Sequence, residues 1–208
     1  MEAISKTSKI EKIIKLTLIT IVGTILITIS AKVKIPFYPV PMTMQTFVVL
    51  FLGLAFGYKI GLATVTLYLL EGIFGLPVFA NSPEKGIGLV YFTGPTMGYL
   101  IGFLVAVYFT RFIFRKDFDW SNYYSQKRGR TLLITLLNAL AVFLALFTKL
   151  VFAVSFIYIL GLLWLGYLIG WDKPIFELGA QPFLLAELFK LLLLTALYPW
   201  IKKLNKII

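Results

Sequence analysis

The feature that most constrains the fold of this chain is a series of long apolar stretches, separated by short polar segments rich in glycine and proline. The longest runs from Thr131 to Ile169. About 20 apolar residues are enough for one helix to cross a bilayer core of about 30 Å. Hydrophobic residues form 60% of the 208 residues and charged residues only 14%, against about 25% charged residues in a typical soluble domain. The sequence therefore predicts an integral membrane protein whose solvent is the lipid bilayer.

The apolar stretches predict an all-α bundle of six transmembrane helices that forms a single domain over residues 1–208. Pro36, Pro39 and Pro41 prevent a continuous helix between the first two spans, so we expect an extended external loop there. The second helix is short, and short helices beside Gly/Pro breaks are typical of small-molecule transporters. The predicted helices are Ile13–Ala31, Met42–Phe56, Ile60–Phe74, Gly94–Phe114, one long helix within Thr131–Ile169 that is bent or preceded by a surface helix, and Pro182–Trp200.

The basic residues are distributed unevenly between the two predicted sides of the membrane. With six spans, the side that holds both termini carries fourteen lysines and arginines and the opposite side carries four. This bias places both termini in the cytoplasm by the positive-inside rule. The net charge of +11 therefore indicates membrane orientation and requires no nucleic-acid partner. The outside residues are Lys32, Lys34, Lys85 and Lys173; the inside residues are Lys6, Lys9, Lys12, Lys15, Lys59, Arg111, Arg115, Lys116, Lys127, Arg128, Arg130, Lys202, Lys203 and Lys206.

The composition excludes several kinds of chemistry. The chain has no cysteine and no histidine, which removes thiolate chemistry, the usual zinc ligands and the commonest general base. We therefore predict no metal site, no cofactor and no catalytic residue. A nucleotide-binding motif of the form G-x-x-x-x-G-K-[ST] is also absent from the sequence, so ATP-driven function requires a separate subunit. A membrane-embedded enzyme or an assembly protein is the alternative to a transport protein.

Charged residues within the apolar segments are the strongest functional candidates, because each is costly at membrane depth. These residues are Glu71, Lys149, Glu187 and Lys190. The spacing of three residues puts Glu187 and Lys190 on one helix face. They form either a structural ion pair or a polar patch that lines a binding cavity, where the lysine attracts an anionic group and the glutamate accepts N–H donors. Glu71 either accepts hydrogen bonds from loop N–H groups or contacts a ligand.

Two carboxamide side chains lie next to the predicted breaks. Asn81 falls in the Gly/Pro-rich loop after the third helix, and Gln45 falls near the start of the second. A carboxamide offers donors and an acceptor together. Each residue therefore either contacts a polar ligand or completes local hydrogen bonding at a loop or helix end.

Four segments of the chain resemble sequence motifs of a known family of membrane proteins. They run over Lys34–Thr46, Leu67–Ala80, Gly94–Phe103 and Pro182–Lys190. Their content and order resemble those of the BioY family, the biotin-binding S-components of energy-coupling factor (ECF) transporters. Any one segment is weakly specific, whereas all four in family order are highly specific.

This resemblance implies a function, a location and partners. The expected protein is a six-helix, multi-pass S-component of the cytoplasmic membrane that captures biotin from outside with high affinity and is not an enzyme. A transmembrane coupling (T) subunit and two ATPase (A) subunits are expected to drive release inward. The alternative within the same class is an S-component for another vitamin or for a biotin precursor.

The resemblance also implies roles for individual residues. Asn81 matches a ligand-contacting asparagine of the family, and Lys190 matches the lysine of the family's sixth helix. Glu187 stands where the family usually has aspartate, one methylene shorter. Aromatic rings are expected to cover the apolar parts of biotin. The full predicted ligand-binding set is Gln45, Glu71, Phe79, Asn81, Tyr91, Tyr99, Glu187 and Lys190. Small residues on the family's first helix dock the coupling subunit, and the matching residues here are Thr20, Gly23, Thr24 and Thr28.

Overall fold

The computed structural model of the chain describes residues 2–36, 38–112 and 132–204, with side chains at 10–36, 38–111 and 136–204. Within these ranges the chain is helical apart from its loops and one pair of two-residue strands. The helices are α1 (Glu2–Lys32), α2 (Gln45–Phe56), α3 (Tyr58–Ile73), α4 (Met97–Phe109), α5 (Leu132–Ile169), α6 (Ile175–Gly179) and α7 (Leu184–Leu204). Short 3₁₀ turns lie at Gly88–Thr93, Thr110–Phe112 and Gln181–Phe183.

The predicted helices are present, with corrections at their ends. The first begins at Glu2, well before the expected Ile13, and the fourth begins at Met97 rather than at Gly94. The proline-containing segment is not helical, as predicted, but it also carries an antiparallel pair, β1 (Lys34–Ile35) and β2 (Met42–Thr43). The expected loop before the last helix contains α6. The polar segment Arg115–Arg130 lies outside the described residues.

The long apolar stretch forms one continuous helix. α5 has 38 residues, which at 1.5 Å per residue corresponds to about 57 Å. We expected this segment to cross the membrane once, and no turn divides it within its described length. Residues 136–141 of this helix include no buried side chain, with Leu136 58% and Leu140 54% exposed.

Much of the molecular surface is apolar. Among the described residues, three helical segments are long and apolar enough to cross a membrane, namely Ile10–Lys32, Leu136–Ile169 and Ile175–Leu204, and α2 and α4 are shorter apolar helices. The outer face of α1 exposes large aliphatic side chains to the surroundings, which suits lipid and not water. These side chains are Ile10, Ile13, Ile14, Leu18, Ile21, Val22, Ile25, Leu26 and Ile29.

Two glycines allow α4 and α5 to approach closely. A Cβ atom on Gly98 would lie 2.3 Å from the Leu160 carbonyl oxygen, and one on Gly102 would lie 2.6 Å from the Ile157 Cα. Small residues four apart on one face permit this close helix contact in membrane proteins. The contact matters for function because it fixes Tyr99 of α4 beside Tyr158 of α5, with ring centroids 6.3 Å apart.

Candidate ligand-binding site

A cavity lies among α2, α4, α5 and α7, beneath the β1–β2 hairpin. The volume of the cavity is about 60 Å³, which is smaller than the range of about 300–1,000 Å³ that is usual for small-molecule sites. Apolar and aromatic side chains form most of its wall, and a few polar groups converge in it. The lining residues are Val40, Pro41, Met42, Thr43, Gln45, Thr46, Ala80, Thr96, Tyr99, Leu100, Phe103, Ile157, Tyr158, Phe183, Glu187 and Lys190.

The Lys190 ammonium group is buried at the cavity wall and fully engaged by the protein. Its Nζ donates to the Thr43 carbonyl oxygen at 2.7 Å, to Thr46 Oγ1 at 3.0 Å and to Glu187 Oε2 at 3.2 Å. A lysine has three donors and no acceptor. All three are therefore used within the chain, and the positive charge is balanced mainly by Glu187.

The two oxygens of the Glu187 carboxylate have different surroundings. Oε2 accepts hydrogen bonds from Thr46 Oγ1 at 3.0 Å and from Tyr158 OH at 3.3 Å, in addition to Lys190 Nζ. Oε1 is buried and has no hydrogen-bond partner among the described residues. Leaving a buried polar atom unpaired costs about 1–3 kcal/mol. Since Glu187 lines the cavity, Oε1 is a natural acceptor for a donor on a ligand.

Gln45 belongs to a second hydrogen-bonded chain in the same wall. Its Nε2 donates to Tyr68 OH at 2.8 Å, and the Tyr68 hydroxyl donates to the Val78 carbonyl oxygen at 3.2 Å. Thr43 Oγ1 donates to Gln45 Oε1 at 3.2 Å. This chain fixes the carboxamide at the start of α2 and connects the cavity wall to the loop after α3.

Tyr99 is the predicted aromatic residue that lines the cavity. Its hydroxyl donates to the Gly179 carbonyl oxygen at 2.7 Å. Gly161 lies against the face of its ring, where a Cβ atom would come within 2.4 Å of Cε1. These contacts leave the Tyr99 ring little freedom to rotate, so it presents a fixed apolar surface.

The structure places Asn81, Phe79 and Tyr91 beside the cavity and not in its lining. Asn81 Oδ1 accepts a hydrogen bond from Lys34 Nζ at 3.1 Å, and the Asn81 N–H donates to Tyr91 OH at 3.4 Å. The Phe79 ring stacks on Tyr91 with centroids 4.5 Å apart. Burial raises the pKa of the Tyr91 hydroxyl above its usual value, so it remains a neutral hydrogen-bonding group. Of this loop, Ala80 reaches the cavity itself.

Glu71 lies apart from the cavity, between α3 and α1. Its Oε1 accepts a hydrogen bond from Thr24 Oγ1 at 3.0 Å. Gly23 contacts α3 as well, since a Cβ atom there would lie 2.6 Å from Thr64 Cγ2. Thr20 and Thr28 are half-buried. In this conformation the small residues of α1 thus pack within the chain, and their role in docking a coupling subunit stays a prediction.

Sequence reasoning missed two residues that shape the site, Thr46 and Tyr158. Thr46 accepts from Lys190 and donates to Glu187, so it completes the polar cluster. It directly follows Gln45 in a motif already singled out, which was a usable signal. Tyr158 lies within a long apolar stretch that contains many aromatic residues. Nothing in the sequence distinguishes it from the neighbours that face lipid.

The fold and the cavity together define a helical membrane protein with an internal site for a small, partly polar ligand. Comparison with known proteins is consistent with this class. The family model described as "BioY family" matches residues 4–206. The chain belongs to the BioY family.

Several curated relatives are similar over most of their length. The "Probable biotin transporter BioY" of Pyrococcus horikoshii is 30% identical over 79% of this chain and 82% of its own length. The "Biotin transporter BioY" of Thermotoga maritima is 30% identical over 88% of this chain and 92% of its own length. Among solved structures, the S-component for biotin from an ECF-type ABC transporter superposes with a TM-score of 0.67 at 23% identity, covering 93% of each chain. That match establishes a shared fold.

Proposed function

We propose that this protein binds biotin and carries it across the cytoplasmic membrane as the S-component of an ECF-type transporter. The observation that carries the proposal is the buried Glu187–Lys190 pair in the cavity, which leaves Glu187 Oε1 as an unpaired acceptor. Membership of the BioY family and the names of the relatives support the choice of ligand. The role is that of a transporter subunit and not of an enzyme.

The geometry of the pair suggests which end of biotin it meets. Lys190 has its three donors occupied by Thr43, Thr46 and Glu187, so it has none left for a ligand carboxylate in this conformation. Glu187 Oε1 instead requires a donor. The ureido ring of biotin has N–H donors and no charge, which suits a nearly neutral ion pair. We therefore place the ureido ring against Glu187 and the carboxylate of the side chain toward the cavity mouth.

The remaining predicted contacts extend the same proposal. Gln45 and Tyr99 line the cavity and are proposed to contact the ligand there. Asn81, Phe79 and Tyr91 lie outside the cavity lining, and they are proposed to reach the ligand when the loop moves. Glu71, which bonds Thr24, is the weakest member of the predicted set.

Equilibrium binding of biotin to the purified protein tests the proposed function. We expect saturable binding of one biotin per chain with a submicromolar Kd, and weaker binding of thiamine and riboflavin. Competition with desthiobiotin, which keeps the ureido group, and with a biotin analogue whose ureido nitrogens are methylated tests the orientation. Absence of binding at micromolar biotin would contradict the function, and full affinity for the methylated analogue would contradict the orientation.

We further propose six transmembrane spans in one domain, residues 1–208, with both termini in the cytoplasm and with T and A subunits as partners. The chain has no cysteine, so single cysteines report topology cleanly. A membrane-impermeant maleimide applied to intact cells is expected to label Lys173→Cys. It should leave Lys12→Cys, Lys59→Cys and Lys203→Cys unlabelled until the cells are permeabilised. Labelling of all four in intact cells would refute the topology.

Uptake measurements test the partners. Biotin uptake that requires coexpressed T and A subunits would support these partners, and equal uptake without them would show that they are not required.

A further inference from the structure

Two lysines at one end of the bundle are bound to the same loop. Lys32 Nζ donates to the carbonyl oxygens of Phe79 and Ser82, both at 2.7 Å. Lys34 Nζ donates to the Ala80 carbonyl oxygen at 2.7 Å and to Asn81 Oδ1 at 3.1 Å. Hydrogen bonds from a charged donor are stronger than those between neutral groups. Four such bonds converge on four successive residues of one loop.

These bonds join two walls of the cavity. Lys32 is the last residue of α1, and Lys34 lies in β1 opposite Thr43 of β2. The hairpin lines the cavity through residues 40–43, and the loop lines it from the other side through Ala80. Residues 78–87 contain no helix or strand. Backbone hydrogen bonds form turns within the loop, and the buried Phe79 side chain and the two lysines join the loop to the bundle. Lys85 of the loop adds a contact with the hairpin, since its Nζ lies 5.7 Å from the ring centroid of Tyr38.

We propose that Lys32 and Lys34 form a lysine clamp that closes the cavity by holding the loop 78–87 against the β1–β2 hairpin. Ligand entry and exit require the clamp to release the loop carbonyls. Lys34 is also a positioning residue for Asn81, because its bond to Oδ1 fixes the orientation of that carboxamide. The identity of the ligand rests on the proposed function, whereas the clamp itself follows from the contacts of the loop.

A single introduced thiol reports whether the clamp is open. Ser82 is 2% exposed and is close in size to cysteine, and the chain has no other thiol. Without biotin, Ser82→Cys is expected to react slowly with a membrane-impermeant maleimide. Adding Lys32→Met and Lys34→Met is expected to raise the alkylation rate at least tenfold. Lys32→Arg with Lys34→Arg keeps the charges and should keep the rate within about threefold of the parent. Lys173→Met, which removes an exposed lysine paired with Asp172, should leave it unchanged.

Biotin dissociation gives the second measurement. In a chase with unlabelled biotin, the Lys32→Met/Lys34→Met protein is expected to release labelled biotin at least tenfold faster than the parent, and the double arginine variant is expected to retain the slow rate. An unchanged alkylation rate in the folded double methionine variant would overturn the clamp. If that variant does not fold, the single methionine variants decide, and a rate raised in neither overturns the clamp. Failure of the parent to bind biotin would count against the proposed function only, because the alkylation measurement needs no ligand.

Discussion

Replacing Lys190 with methionine is expected to weaken biotin binding more than tenfold and to lower the melting temperature of the protein. Methionine has nearly the length of lysine but no charge. The change leaves the Glu187 carboxylate buried with two hydroxyl donors and no cation. Removing one partner of a buried ion pair typically costs about 3–5 kcal/mol, because the remaining charge is uncompensated. The carboxylate then turns toward new partners, and Oε1 is no longer a fixed acceptor.

The paired variant separates the effect on folding from the effect on binding. Lys190→Met with Glu187→Gln removes both charges, so we expect it to melt at a higher temperature than Lys190→Met alone while still binding biotin weakly. Lys173→Met, at an exposed position, controls for loss of a lysine. Thermal melting and calorimetric titration with biotin provide the two measurements. If Lys190→Met binds biotin with the parental affinity, neither Lys190 nor its ion pair with Glu187 contributes to binding.

Replacing Gly102 with leucine is expected to lower the amount of folded protein and its melting temperature. A Cβ atom at this position would lie 2.6 Å from the Ile157 Cα and 3.2 Å from the Ile157 carbonyl oxygen. The contact is with backbone, which cannot rotate away as a side chain can. Overpacking a core costs typically about 1–3 kcal/mol and occasionally more. Separation of α4 from α5 also moves Tyr99 away from Tyr158, and both line the cavity, so the surviving protein should bind biotin weakly.

Graded variants at the same helix contact make this prediction specific. Gly102→Ala should give an intermediate loss in melting temperature. Ile101→Leu changes the neighbouring residue, which is 38% exposed, and should melt like the parent. The amount of monodisperse protein in size-exclusion chromatography and the melting temperature are the measurements. A Gly102→Leu protein with parental yield and stability would show that α4 and α5 do not pack as closely as described.

Some of the residues selected from the polar motifs lie close together in the structure. The spacing of Glu187 and Lys190 indicated a shared helix face, and the structure places their side chains 3.2 Å apart. Gln45 and Tyr99 also line the cavity with them. The sequence did not indicate that Lys190 would be saturated by Thr43 and Thr46. Those contacts join α7 to β2 and to the start of α2, more than 140 positions away in the chain.

Other predicted residues lie elsewhere for reasons of packing. Glu71 was selected because it is a charged residue in an apolar helix, and it meets Thr24 of α1 rather than the cavity. Phe79 and Tyr91 stack on each other outside the cavity lining. A loop without regular structure has no sequence period from which the direction of its side chains can be derived. Whether Asn81 and these rings contact a ligand stays a prediction.

The sequence by itself determined that the chain suits apolar surroundings, and it determined the main helices and their order. Hydropathy and Gly/Pro breaks are local properties of the chain. The sequence also determined the charged residues that are costly enough in lipid to require partners. The tertiary structure alone decided which partners they have. Close approach at Gly98 and Gly102, saturation of Lys190 and the free oxygen of Glu187 all depend on which helices are neighbours. The apolar stretch that most constrained the fold became one unbroken helix, α5, and its Tyr158 reached the site through packing that no local pattern encodes.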